Sequence, residues 1–132
     1  MTRYLLDTPV FLWNFAEPER LSNAVRRLFD NPADGVFLSA ASAWEISIKF
    51  ASGKLRLPEP PGLYVSKRTA PAGLLPLHIT YEHALRAGDL PRHHSDPFDR
   101  MLIAQAQSEG LVLVTPDRLI AKYSVETLWT GN

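Results

Sequence analysis

The chain has 132 residues, the size of one compact domain, and 45% of them are hydrophobic, which is enough for a real core. Its 14 basic and 14 acidic side chains cancel, so bulk charge does not indicate nucleic-acid binding, and any such binding must use a local patch. The absence of cysteine excludes disulfides and thiolate metal sites.

Two features of the sequence bear on its cellular location. No apolar run approaches the roughly 20 residues that a membrane-spanning helix needs. The first residues, MTRYLLDT, are too short and too acidic for a secretory signal peptide. We therefore expect a soluble, cytoplasmic protein without a membrane partner.

The first elements alternate between strand and helix. Residues 3–7 (RYLLD) predict a short buried strand. Thr8 is the expected N-cap of a short helix, with Pro9 at the first helical position, where a missing N–H does no harm. Ser22 is the expected cap of a second helix over residues 23–31.

The middle of the chain continues this alternation. Residues 35–40 (GVFLSA) predict a second strand, and residues 40–53 predict a helix that ends at a glycine. The proline-rich residues 54–62 predict a loop, and residues 63–70 favour a further helix. A third strand is predicted over residues 73–79 (GLLPLHI).

The last part of the chain contains the clearest elements. Thr80 is the expected cap of a helix over residues 81–90, and a loop follows it over residues 90–95. Residues 96–110 (DPFDRMLIAQAQSEG) predict a helix with proline at its start and glycine at its end. The remaining predicted elements are a strand at 111–115 (LVLVT), a short helix at 116–123 and a strand at 125–129. Short apolar strands alternating with helices predict a parallel sheet covered by helices on both faces.

Four carboxylates follow predicted strands or begin predicted helices. Asp7 ends the first strand, Glu45 lies early in the helix after the second, Asp99 lies in the first turn of the 96–110 helix, and Asp117 follows LVLVT. The carboxyl ends of parallel strands meet at one edge of a sheet, so all four are expected near the same rim.

Helix capping is the plainer explanation for most of these carboxylates. Ser42 and Glu45 fit a capping box, Asp96 and Asp99 fit a similar pattern, and Asp117 follows a proline as an ordinary turn residue would. Asp7 fits this explanation less well, because an unpaired charge at the end of a buried strand is costly.

A bound cation would account for Asp7. Clustered carboxylates repel one another and stay ionised only beside a cation. Hard divalent ions such as Mg²⁺ or Mn²⁺ prefer oxygen ligands and keep several waters, which leaves room for a phosphate. Such ions activate water and stabilise charge on a phosphoryl oxygen.

Other polar residues have both ordinary and functional explanations. Lys49 lies one turn after Glu45, and we favour a salt bridge between them over a phosphate contact. Arg100 could approach RNA, orient the carboxylates or lie on a solvated helix face. His93 and His94 lack metal-ligand spacing and are expected in a solvated loop. The three tryptophans are expected in the core or at interfaces rather than as base-stacking platforms.

In order along the chain, the motifs LLDTPVFLW, SAASAWEISIKFASGKL and LPRHHSDPFDRMLIAQAQSEGLVLVTPD resemble the PIN-domain nucleases, most closely VapC-type toxins of bacterial toxin–antitoxin pairs. The likeness runs from about residue 3 to residue 129. It implies a single PIN domain over residues 1–132, built as a three-layer α/β/α sandwich around a parallel sheet. It also implies metal-dependent cleavage of RNA.

The resemblance assigns roles by position. Asp7, Glu45, Asp99 and Asp117 match the four acidic residues that bind Mg²⁺ or Mn²⁺ and carry catalysis. A supporting set comprises Thr115, a hydroxyl residue that hydrogen bonds at the site, Asp96, a helix cap near it, and Arg100.

The resemblance also implies partners, namely an RNA substrate, a small antitoxin that covers the acidic groove, and a second copy of the chain in a homodimer. The apolar helix PVFLWNFA and the second helix, over residues 23–31, are candidates for these contacts. Many relatives have histidine where this chain has Pro9, a departure that bears on substrate or subunit contacts rather than on the acidic ligands.

Other function classes fit less well. A haloacid-dehalogenase-type phosphatase needs a second aspartate two residues after Asp7, where this chain has Pro9. A nucleotide-binding fold needs a glycine-rich turn after the first strand, and the residues DTPV contain no glycine. A phosphoreceiver domain needs a carboxylate pair before its phosphorylated aspartate, and none precedes Asp7. The remaining alternative is a catalytically silent PIN-like protein that serves only as a binding module, although all four acidic positions are filled.

Overall fold

One parallel sheet organises the chain. The computed structural model describes residues 2–31 and 35–131. Its strands are β1 (Tyr4–Leu6), β2 (Val36–Ser39), β3 (Leu75–Leu77), β4 (Val112–Thr115) and β5 (Thr127–Trp129). They lie in the order β3-β2-β1-β4-β5, and each neighbouring pair is parallel. Each strand falls within the segment predicted for it.

Helices connect the strands. They are α1 (Thr8–Ala16), α2 (Asn23–Asp30), α3 (Ala40–Ala51), α4 (Pro61–Thr69), α5 (Tyr81–Asp89) and α6 (Pro97–Glu109), with 3₁₀ helices at Pro18–Arg20 and Arg118–Lys122. The short helix predicted at 116–123 is thus a 3₁₀ helix, and α4 begins two residues earlier than predicted. None of the helices in the described ranges has the length and apolar character needed to cross a membrane.

Two apolar cores lie on opposite faces of the sheet, because successive side chains of a strand point to opposite faces. Leu5 and Leu113 pack with residues of α5 and α6. The next residues along the same strands, Leu6 and Val114, pack with residues of α1, α2 and α4. This arrangement confirms the predicted three-layer α/β/α sandwich.

Local signals set several helix ends. The Ser22 side chain accepts a hydrogen bond from the Val25 N–H and caps α2, and Thr80 caps α5, as predicted. Gly110 ends α6 with φ +67°, a left-handed conformation that a residue with a Cβ rarely adopts.

Strand register determines where the polar residues fall. Leu6 in β1 lies opposite Leu38 in β2 on one side and Val114 in β4 on the other. The next residue of each strand's chain is polar: Asp7, Ser39 and Thr115. The middle of the sheet therefore places these side chains along one line at its carboxyl edge.

Candidate active site

Five carboxylates line one cavity at the carboxyl edge of the sheet. The cavity has a volume of about 380 Å³ and is also lined by two lysines. Its charged lining residues are Asp7, Glu45, Lys49, Lys54, Asp96, Asp99 and Asp117. The structure thus brings together all four acidic residues that the sequence placed near one rim.

Asp7 lies at the bottom of this site, with only 3% of its surface exposed. Its Oδ1 accepts a hydrogen bond from the Thr8 N–H at 2.8 Å, and its Oδ2 accepts one from the Thr115 hydroxyl at 2.7 Å. Asp7 is therefore the N-cap of α1, and the prediction that Thr8 takes this role is wrong. The Thr8 hydroxyl instead donates to Ser42 Oγ at 2.9 Å.

Glu45 projects from α3 and is 6% exposed. Its Oε2 lies 2.6 Å from the Lys49 Nζ, which confirms the predicted salt bridge. The predicted capping box of Ser42 and Glu45 is wrong, because α3 begins earlier and Ser39 caps it by accepting a hydrogen bond from the Ala41 N–H. Glu45 is consequently free of the helix backbone and faces the cavity.

The start of α6 brings two carboxylates to the site. Asp96 Oδ1 accepts hydrogen bonds from the N–H groups of Phe98 and Asp99, at 2.8 and 3.1 Å, so Asp96 is the predicted helix cap. Asp99 lies in the first turn of α6 and lines the same cavity as the other carboxylates. Helix capping thus explains Asp96 but not Asp99.

Thr115 connects the first and last acidic residues. Its hydroxyl donates to Asp7 Oδ2, and its oxygen accepts the Asp117 N–H at 3.0 Å. The Asp117 side chain accepts from the Leu119 N–H at 2.9 Å and begins the last 3₁₀ helix. A single hydroxyl therefore bonds to the Asp7 carboxylate and to the backbone N–H of Asp117, which lies 110 positions further along the chain.

His94 belongs to the site, although the sequence indicated a solvated loop. Its Nε2 lies 2.7 Å from Asp117 Oδ2 and 3.0 Å from Asp99 Oδ2. Its Nδ1 accepts a hydrogen bond from the Asp96 N–H at 3.2 Å, so the ring proton lies on Nε2, between the two carboxylates. The one sequence signal that could have indicated His94 as a site residue is its position, two residues before the Asp96 cap.

Arg100 has a role that differs from each of those considered from the sequence. Its guanidinium group donates to the carbonyl groups of Ala87, Leu90, Pro91 and His94, at 2.8 to 3.3 Å. It neither pairs with the acidic residues nor lies on a solvated face. It ties the segment before α6 to the helix and so helps to position His94.

Burial and mutual repulsion make two of the carboxylates hard to ionise. Burial raises the pKa of Asp7 from 3.8 to about 6, and the charges of Glu45 and Asp117 add to this, while the hydrogen bonds of Thr115 and Thr8 oppose it. Burial, followed by the charges of Asp7 and other acidic residues, raises the pKa of Asp99 to about 8. The two raised pKa values indicate a site that lacks enough positive charge of its own.

The donor set fits a hard divalent cation. Carboxylate oxygens are the ligands that Mg²⁺ and Mn²⁺ prefer, and a cation would favour the ionised forms of Asp7 and Asp99. Ligand atoms of His94, Asp99 and Asp117 all lie within 4.8 Å of one another. Since His94 Nε2 carries a proton here, the carboxylates are the available ligands.

The chain is similar to known proteins over most of its length. The PIN domain family model matches residues 4–126. The chain is 32% identical to ribonuclease VapC22 of Mycobacterium tuberculosis over 124 residues, which cover 93% of each protein. It is 41% identical to ribonuclease VapC16 of the same organism over 61 residues, 46% of this chain and 43% of that protein.

Among solved structures, the crystal structure of VapBC2 from Rickettsia felis bound to a promoter DNA fragment has a similar chain. The TM-score is 0.73 at 13% identity, with 98% of this chain and 99% of that chain covered. At this identity the likeness supports the fold alone. The family model spans nearly the whole length of the chain, and the similar fold agrees with it. This chain therefore belongs to the PIN domain family.

Proposed function

We propose that this chain is a metal-dependent endoribonuclease that hydrolyses RNA phosphodiester bonds and acts as the toxin of a toxin–antitoxin pair. The observation that carries the proposal is the convergence of four carboxylates from distant parts of the chain on one cavity of a PIN fold. Two relatives named ribonuclease VapC support the same activity. One is matched over 93% of its length and the other over 43%.

Asp7, Glu45, Asp99 and Asp117 would hold Mg²⁺ or Mn²⁺ in this proposal. The bound ion supplies an activated water and stabilises negative charge on the phosphate oxygens. Thr115 and the Thr8 N–H hold the Asp7 carboxylate in place. Each Asp7 oxygen accepts one of these hydrogen bonds and keeps a further lone pair for a metal ion.

Two lysines place positive charge at the cavity, where a phosphate could bind. Lys49 and Lys54 both line it, and Lys49 is held over Glu45 by their salt bridge. The hydrogen bond with Glu45 raises the pKa of Lys49, so its ammonium group stays charged. A phosphodiester that approaches the carboxylates therefore meets fixed positive charge at the same cavity.

The direct test is cleavage of an unstructured RNA by the purified protein. We expect cleavage with Mg²⁺ or Mn²⁺ and none with EDTA, because the carboxylates alone repel the phosphate. Equal product in EDTA would contradict metal dependence, and no product under any condition would leave the catalytically silent alternative.

Partners follow from the same proposal. A small antitoxin would cover the acidic cavity and suppress cleavage, and the chain would form a homodimer and act in the cytoplasm. Of the apolar helix considered for these contacts, Val10 and Phe11 are fully buried in the core, so only its other side chains are available. Full activity in a purified complex with the antitoxin would contradict the inhibitory role, and light scattering tests the dimer.

Replacing His94 by alanine should lower the rate of RNA cleavage about 10- to 100-fold, the usual loss when a group that orients metal ligands is removed. The reason is that its Nε2–H is shared between Asp99 and Asp117. Initial rates at saturating Mg²⁺ measure the effect.

The neighbouring His93 provides the matched control. Its ring is exposed and packs against Tyr123, with centroids 5.1 Å apart, so His93→Ala removes a histidine from the same loop without touching a carboxylate. Equal losses in the two variants would mean that the loop matters only as a whole.

A further inference from the structure

A second cavity adjoins the acidic one and has the opposite charge. Its volume is about 220 Å³, and its main lining residues are Trp13, Arg20, Pro116, Arg118 and Trp129. Pro116 lines both cavities. The two cavities therefore adjoin at Pro116.

Two guanidinium groups lie against two indole rings in this second cavity. The Arg20 guanidinium carbon is 3.9 Å from the centre of the Trp13 ring, and that of Arg118 is 4.5 Å from the centre of the Trp129 ring. Both indoles are half-buried, whereas both arginines are exposed. Such stacking fixes each guanidinium plane while leaving its N–H donors accessible.

The charge of these arginines is available to a ligand. Arg118 takes part in none of the ion pairs found among residues 2–31 and 35–131. Arg20 has only a surface contact, 3.8 Å from Glu17, with both side chains about half exposed. An exposed pair of this kind contributes little and gives way readily to another anion.

We propose that the Trp–Arg cavity, formed by Trp13, Arg20, Arg118 and Trp129, binds the nucleotide of single-stranded RNA that neighbours the bond to be cleaved. This inference rests on the proposed nuclease function. Unpaired RNA bases are recognised by stacking on aromatic rings and guanidinium planes, and their phosphates by arginine. The cavity offers both at the edge of the acidic site.

The overall charge supports this occupant. The chain has no net charge and its acidic cavity repels a polyanion, so RNA needs local positive contacts close to the scissile phosphate. The Trp–Arg cavity supplies two such contacts beside the acidic cavity. Trp13 packs against the core, as expected from the sequence, and both it and the half-buried Trp129 also line this cavity.

The test is equilibrium binding of a fluorescein-labelled RNA hexanucleotide of mixed sequence, followed by anisotropy in Ca²⁺ buffer, with gel analysis to verify that the probe stays intact. We expect Trp129→Ala and Arg118→Gln to raise the Kd roughly fivefold to a hundredfold, the range for losing one stacked base. Arg118→Gln should also lower the slope of log K against log salt by about 0.7, the value for one phosphate contact to a single strand.

Two matched controls lie on other surfaces. Arg27→Gln removes an exposed arginine from α2, and Tyr81→Ala removes an aromatic side chain that is 90% exposed on α5. Both should leave the Kd unchanged. Because Arg118 is exposed, its variant tests the proposal even if Trp129→Ala does not fold.

The assignment of this cavity is overturned if Arg118→Gln has the Kd of the wild type. It is also overturned if Arg27→Gln raises the Kd as much as Arg118→Gln does. If the wild type still cleaves RNA in that case, the nuclease proposal stands and only this inference fails. A wild type that neither binds nor cleaves the RNA overturns both.

Discussion

Replacing Asp7 by asparagine should reduce metal-dependent RNA cleavage by at least about 100-fold, since a metal contributes several kcal/mol of transition-state stabilisation. Asparagine keeps the shape of the side chain and its oxygen can still accept a hydrogen bond, so the fold should remain. What it removes is one negative charge at the most buried ligand position. Asp99→Asn should act in the same direction. Initial cleavage rates across a range of Mg²⁺ concentrations measure both.

The matched control is Asp89→Asn, an identical change at an exposed position near the end of α5. It should leave the rate unchanged. Thermal unfolding of metal-free Asp7→Asn at pH 8 separates lost chemistry from lost structure. We expect no loss of stability, because the variant removes a repelled, buried carboxylate. Undiminished cleavage by Asp7→Asn would contradict its role as a ligand.

The metal-free protein should lose stability as the pH rises from about 4 to about 8. The pKa of Asp7 is about 6 in the folded chain against 3.8 ordinarily, and that of Asp99 is about 8. Between these values the folded state binds more protons than the unfolded state, so the free energy of unfolding falls as pH increases. At about 1.4 kcal/mol for each pKa unit, Asp7 alone accounts for about 3 kcal/mol.

Adding Mg²⁺ or Mn²⁺ at pH 8 should reverse this loss, since a ligand that binds only the folded state stabilises it by about 2.7 kcal/mol at 100 times its Kd. Unfolding in urea at pH 5 and pH 8, with EDTA and with metal, measures the effect. The variant with both Asp7→Asn and Asp99→Asn should show a flatter pH profile and little response to metal. A wild-type profile that rises from pH 5 to pH 8 in EDTA would contradict the site electrostatics described here.

Most of the fold could be predicted because its signals are local. The helix predicted over residues 96–110 runs over Pro97–Glu109, and its two ends are the predicted aspartate cap and glycine. The LVLVT segment forms β4, which lies inside the sheet between β1 and β5. A cap, a proline or an apolar run acts on its own few residues, so it can be recognised without knowing what packs against it.

Part of the candidate site was equally accessible to sequence reasoning. Parallel strands share one carboxyl edge, which is enough to predict that all four carboxylates lie near one rim. The structure places all four around the same cavity, and the family resemblance adds the role of metal ligands. Their roles as metal ligands remain predictions for the experiments above.

Contacts between side chains of distant segments could not be predicted in this way. His94 reaches Asp99 and Asp117 because Arg100 and Tyr123 hold its loop against α6, a set of bonds that no spacing encodes.

The sequence by itself determined the alternation of strands and helices, the parallel sheet and the edge where the carboxylates gather, because hydrophobic period and end signals are properties of short segments. Only the tertiary structure decided that Thr115 bonds to Asp7, that His94 joins the acidic residues and that two tryptophans and two arginines form a cavity beside them. Those outcomes depend on how far apart the segments lie once the two apolar cores have packed against the sheet, and burial of apolar side chains, rather than the polar residues themselves, sets those distances.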